Sequence, residues 1–87
     1  MRIKDGYMLS SVAGKHIVVP VGSEAVDFNG IITTNDTGAF LWNCLENDIS
    51  EEELLSTMLK EYDIDEATAI SDLKDFINKL TEAELLI

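Results

Sequence analysis

The chain holds one histidine, His16, and one cysteine, Cys44, in 87 residues. A thiolate–imidazole pair is a nucleophile only when a further group orients the ring, and the sequence offers none. His16 sits in a strand-like run and Cys44 in a helix-like one, so Cys44 reads as a packing residue. Thiolate and imidazole metal sites need several such ligands, which one of each cannot supply. Carboxylates are plentiful, at 17. Asp63-Ile-Asp65-Glu66 starts like a calcium loop but lacks the later Gly and the closing Glu, so it reads as helix ends and caps. Glu51-Glu52-Glu53 suits the positive end of a helix dipole. No Gly-rich phosphate loop is present. These residues point to a binding module that is not an enzyme and carries no metal or cofactor.

Small acidic chains include the carrier proteins, which need a Ser at a helix start in a D-S-L setting. Ser71-Asp72-Leu73 has the wrong order and falls within a helical pattern, and Ser50 is better used as a cap. The strand-rich first third also argues against a carrier.

Charge narrows the partners. The 17 acidic residues outweigh 6 basic ones, for a net charge of −11. Such a surface repels nucleic-acid backbones and anionic membranes, which leaves proteins or peptides. The plainer reading is that the charge serves solubility. A hydrophobic content of 46% predicts a packed globule, with residues 1–87 forming a single domain. The lone cysteine excludes an intrachain disulfide and points to the cytoplasm. No apolar run is long enough to span a membrane. Met1-Arg-Ile-Lys-Asp-Gly6 lacks the apolar run of a signal peptide.

The elements that must position a binding surface follow from the pattern. Tyr7–Val12 and His16–Val21 read as strands joined by an Ala13-Gly14-Lys15 turn. Pro20 belongs at an edge or strand end. Glu24–Asn29 alternates and either extends the third strand or approaches it through a bulge at Gly30. Ile31–Thr34 is β-branched throughout and reads as the third strand. Asn35, Asp36 and Thr37 then offer N-cap side chains. A first helix over Asp36–Glu46 buries Ala39, Trp42 and Leu45, widened by Phe40 and Leu41. Ser50-Glu-Glu-Glu53 is a capping box, with Ile49 stapling onto Leu54. Leu54, Leu55, Met58, Leu59 and Tyr62 form the second helix's apolar stripe. Asp65 caps a third helix from Glu66 to Leu80 or beyond, with Ala69, Ile70, Leu73, Phe76, Ile77 and Leu80 on one arc. Leu85-Leu-Ile87 is expected to tuck under the sheet. The fold class is therefore α+β: a three-stranded antiparallel sheet followed by three helices, a winged helix-turn-helix-like arrangement.

This ordered set resembles the PqqD-like family, the recognition elements for ribosomally made, modified peptides. The matching pieces are Val18-Val-Pro20, Ile31-Ile-Thr-Thr-Asn-Asp-Thr-Gly-Ala39, Phe40-Leu-Trp-Asn-Cys-Leu45, Ile49-Ser-Glu-Glu-Glu-Leu54, Tyr62-Asp-Ile-Asp65 and Asp72-Leu-Lys-Asp-Phe-Ile-Asn-Lys-Leu80. The likeness covers residues 7–87. Glu84 departs from it, since members often carry Gly there.

The resemblance implies a non-catalytic domain that binds the leader of a precursor peptide and presents it to a maturation enzyme, often a radical S-adenosylmethionine protein. The leader would add as an antiparallel strand to strand three, in a groove against helix three. Strand addition draws affinity from main-chain hydrogen bonds and specificity from side-chain pockets. A three-stranded sheet has two free edges, and Ile31–Thr34 has neither Pro nor charge to block one. The expected site is thus Ile31, Ile32, Thr33 and Thr34 on the strand, with Ala67, Ile70, Lys74 and Ile77 on the helix. Lys74 would pair with an acidic leader residue, and Ala67 would leave room. Rival readings are a winged-helix nucleic-acid regulator, an adaptor for a folded protein, and a homodimer that pairs its own strand edges.

Overall fold

A computed structural model describes residues 1–21 and 32–87. Strands β1 (Tyr7–Val12), β2 (Lys15–Pro20) and β3 (Ile32–Thr34) precede helices α1 (Asp36–Cys44), α2 (Glu51–Glu61) and α3 (Glu66–Glu82). The fold is α+β, with one antiparallel sheet in the order β1-β2-β3. The expectations for Glu24–Asn29, Gly30 and Ile31 lie outside the described residues.

The β1–β2 hairpin closes through Ala13 and Gly14, with Val12 opposite Lys15. Both central residues have positive φ, 53° and 78°. That is the twist a primed two-residue turn imposes, and it matches the twist of the strands it joins. Lys15 therefore begins β2 rather than finishing the turn. Pro20 ends it, since Pro cannot donate to a continuing ladder.

Alternation along the strands decides what is buried. Tyr7 and Leu9 of β1 pack against the core, Val18 of β2 is part of it, and Ile32 of β3 packs on it. The residues between them face away, and Met8 and Val12 are exposed. The helices supply most of the rest of the core: Leu41 and Trp42 from α1 with Leu45 at its C-cap, Leu54 and Met58 from α2, and Ala69, Leu73, Phe76 and Leu80 from α3, while Ile3 and Leu85 complete it from the two terminal segments. Each fully buried Leu or Met contributes about 1.5–3 kcal/mol relative to exposure. The Phe40 ring meets Tyr62 edge-on at 5.4 Å, tying α1 to the end of α2.

Caps fix where each helix starts. Asn35 accepts from the Gly38 amide, Ser50 from Glu53, and Asp65 from Thr68. α1 ends at Cys44, and the Leu45 amide at its C-cap makes the last i→i−4 bond, to Leu41, shared with the Asn43 carbonyl. α3 runs past Leu80 to Glu82.

The C-terminal residues behave differently from the expectation for Leu85-Leu-Ile87. Leu85 is fully buried, but Leu86 bridges to Ile3 and Ile87 is exposed. The Ile3 amide donates to the Leu45 carbonyl and the Lys4 amide to the Leu85 carbonyl. The tail thus closes over the N-terminal segment, not under the sheet. The reversal that makes this possible is at Glu84, whose φ is 59° just past α3. Left-handed backbone at this position is the usual exit from a helix, and Gly takes it without strain. Glu84→Gly should therefore stabilise the protein by about 1 kcal/mol, read as a higher midpoint in urea; no gain would mean that Glu84 makes a compensating contact.

Candidate functional site

With β2 on one side, β3 has no strand neighbour on its other side among the described residues. Its three residues pair with His16, Ile17 and Val18 of β2, and Asn35 then turns the chain directly into α1. This junction is tight. A methyl on Gly38 would lie 1.7 Å from Thr34 Oγ1 and 2.9 Å from Thr34 Cβ. Gly38 is buried, and its missing side chain lets the first turn of α1 sit against the end of the strand.

Beside the junction lies an open cavity of about 220 Å³. Thr34 and Asn35 form one rim, Thr37, Gly38 and Leu41 of α1 the floor, and Asp72, Asp75, Phe76 and Lys79 of α3 the far wall. Small-molecule and cofactor sites usually enclose about 300–1,000 Å³, so this volume better suits one or two side chains of a larger partner. Phe76 and Leu41 supply an apolar base, and the α3 wall supplies charge of both signs. The Lys79 ammonium donates to the Thr33 carbonyl at 3.2 Å, bridging helix and strand.

The expected site residues are distributed as follows. Ile32, Thr33 and Thr34 are on β3, and Thr34 lines the cavity. Ile31 lies outside the described residues. Ala67 and Lys74 are exposed, Ile70 is half-buried, and Ile77 packs on the core. The cavity is lined by other residues of α3, namely Asp72, Asp75, Phe76 and Lys79. With about 100° between successive residues, these residues and the Ile70–Lys74–Ile77 group flank the buried Ala69–Leu73–Leu80 arc on opposite sides. Sequence periodicity locates the arc but does not tell which flank meets the strand. The spacing of Asp72, Asp75, Phe76 and Lys79 on one side was the available signal.

A second polar group holds the same junction from the sheet side. His16 Nδ1 is 2.7 Å from Ser11 Oγ, and its Nε2 is 2.7 Å from Asp36 Oδ1. Both ring nitrogens are thereby engaged, so His16 is not paired with Cys44. The serine and the carboxylate sit on the opposite nitrogens from those of a hydrolytic triad, and Asp36 is largely solvated. The cluster links β1, β2 and the first turn of α1. Burial pushes the Cys44 thiol above its ordinary pKa, and Glu61 adds to the effect. Its thiolate is therefore scarcer than that of a free cysteine. Among the described residues no group of three or more His, Cys, Asp or Glu is placed to hold a metal ion. No helix there is long and apolar enough to cross a membrane.

Among the described residues, the molecule is a small α+β module in which a strand edge without a strand neighbour lies beside an open cavity. The chain belongs to the family of coenzyme PQQ synthesis protein D (PqqD), whose family model matches residues 15–86. Among solved structures it is similar in fold to "TbiB1 in Complex with the TbiA(beta) Leader Peptide". That similarity has a TM-score of 0.74 at 24% sequence identity, covering 99% of this chain and 94% of TbiB1. No curated protein matches the chain.

The junction itself is testable. Gly38→Ala gains helix propensity but forces a methyl into Thr34, and should lower stability by about 1–3 kcal/mol. Thr34→Ala in the same background should recover part of that loss in urea unfolding. A neutral Gly38→Ala would show that β3 and α1 have room to part.

Proposed function

We propose that this chain binds the leader segment of a ribosomally made precursor peptide as an added strand on β3 and presents it to a maturation enzyme. The observation that carries this reading is the open side of β3 lying beside a groove walled by α3. Membership of the PqqD family supports it, as does the shared fold with TbiB1, which was solved with a leader peptide. The leader would exchange main-chain hydrogen bonds with Thr33, whose N–H and C=O face away from β2, and place alternate side chains in the cavity over Leu41 and Phe76. The partner enzyme implied by the family is a radical S-adenosylmethionine protein. The domain contributes positioning and no bond-making chemistry.

A nucleic-acid reading fits less well. Its recognition helix would be α3, where Glu66, Asp72, Asp75 and Glu82 outnumber Lys74 and Lys79. Such a helix face repels the phosphates it would have to follow.

A titration of ¹⁵N-labelled protein with leader segments of neighbouring precursor genes should shift residues 32–35 and 72–79. Shifts produced only by the neighbouring enzyme would make the chain an adaptor instead. Thr33→Pro removes a ladder donor and should weaken leader binding roughly tenfold, with helical circular dichroism unchanged. Charge reversal then identifies the wall. Asp75→Lys should change leader preference, whereas Lys74→Glu should leave it as it was. The opposite result would assign the wall to Ala67, Ile70, Lys74 and Ile77.

A further inference from the structure

An exposed strand edge invites pairing with any extended chain, and proteins commonly guard it with a lysine on the edge strand. β3 has no such residue: Ile32, Thr33 and Thr34 are uncharged. We propose that Lys79 of α3 is a displaceable guard on this edge, and that a binding strand must take the Thr33 carbonyl from its ammonium. This inference rests on the reading of β3 as a peptide-docking edge.

Three observations converge on Lys79. Its Nζ donates to the Thr33 carbonyl at 3.2 Å, across 46 residues of sequence. It lines the same cavity as Thr34 and Phe76. The third concerns Asp75, which precedes it by four residues and lines the same cavity. Acid four residues before base is the arrangement that pairs well on a helix. Yet among the described residues Lys79 forms no ion pair, and its ammonium lies on a neutral backbone oxygen instead.

The two acceptors define two positions for one side chain. With the groove empty, the ammonium covers Thr33. When a strand arrives, its backbone N–H replaces the ammonium on the Thr33 carbonyl, and Lys79 swings back one turn to Asp75. Both contacts are solvent-exposed and modest in strength, so little separates the two positions. A partner that offers a full ladder opens the guard, while one that offers a single hydrogen bond gains nothing over it. The ligand class follows: an extended peptide with a residue other than proline opposite Thr33, because proline has no N–H to offer.

Lys79→Met keeps the side-chain stem and removes the donors. The experiment compares this variant with the parent, using synthetic leader segments from the short reading frames flanking the gene. Carbonyl ¹³C shifts are recorded before peptide is added. The Thr33 carbonyl should shift in the free variant, and leader affinity should rise about three- to tenfold. Asp75→Asn should weaken binding more in the parent than in the Lys79→Met background. Equal or weaker binding by Lys79→Met, or an unmoved Thr33 carbonyl, would overturn the guard and leave the peptide reading standing. Binding by neither protein would remove both.

Discussion

The contact on which this structure turns is the one between Gly38 and Thr34. A strand that runs into a helix through one intervening residue has no loop to absorb a mismatch. The first turn of the helix must then lie against the last residue of the strand, and only a residue without Cβ fits there. Asn35 holds the same turn by capping the Gly38 amide. The His16–Asp36 contact ties it to β2. The open strand edge, the cavity floor and the direction of α1 are thus set by a few residues. A rigid edge matters for a binder that works through main-chain hydrogen bonds, because an edge ordered beforehand costs less entropy when the ligand arrives.

Much of this was legible in the sequence because local physics governs it. β1 spans Tyr7–Val12 as the alternation indicates, and Asn35, Ser50 and Asp65 cap where their side chains and the following apolar runs require. The departure at Glu84 was visible as a residue out of place, and the structure gives its cause as a left-handed backbone. What the sequence did not carry was the relation between distant elements. The wheel for α3 has two flanks beside its buried arc, and the apolar one holding Ile70 and Ile77 is the natural choice for a groove. The cavity instead borders the charged flank, with Phe76 as its apolar element. Likewise, nothing local links Lys79 to Thr33, or Ser11 to His16 to Asp36. Those contacts exist because the hairpin and α3 meet at the β3–α1 junction.

The charge distribution takes on a meaning beyond solubility in this light. Most of the excess acid lies on the helices, including Glu51, Glu52 and Glu53 at the start of α2, where the helix dipole favours it. The described strands carry Lys15 and His16 but no carboxylate. A ligand lying along β3 would therefore meet a weakly charged strand on one side and a mixed-charge wall on the other. Under the proposed strand addition, discrimination among peptides would fall to the wall, while the strand would accept any backbone of suitable shape.

Trp42 is the one tryptophan of the chain and is 1% exposed. It is next in sequence to Leu41, which floors the cavity. The indole is therefore a native fluorophore, shielded from water in the core beside α1's contribution to the cavity lining. Its emission should lie toward the blue in the folded protein and move red on unfolding, so melting can be followed without a label. Light absorbed by this ring offers a direct optical view of the region that the other elements hold in place.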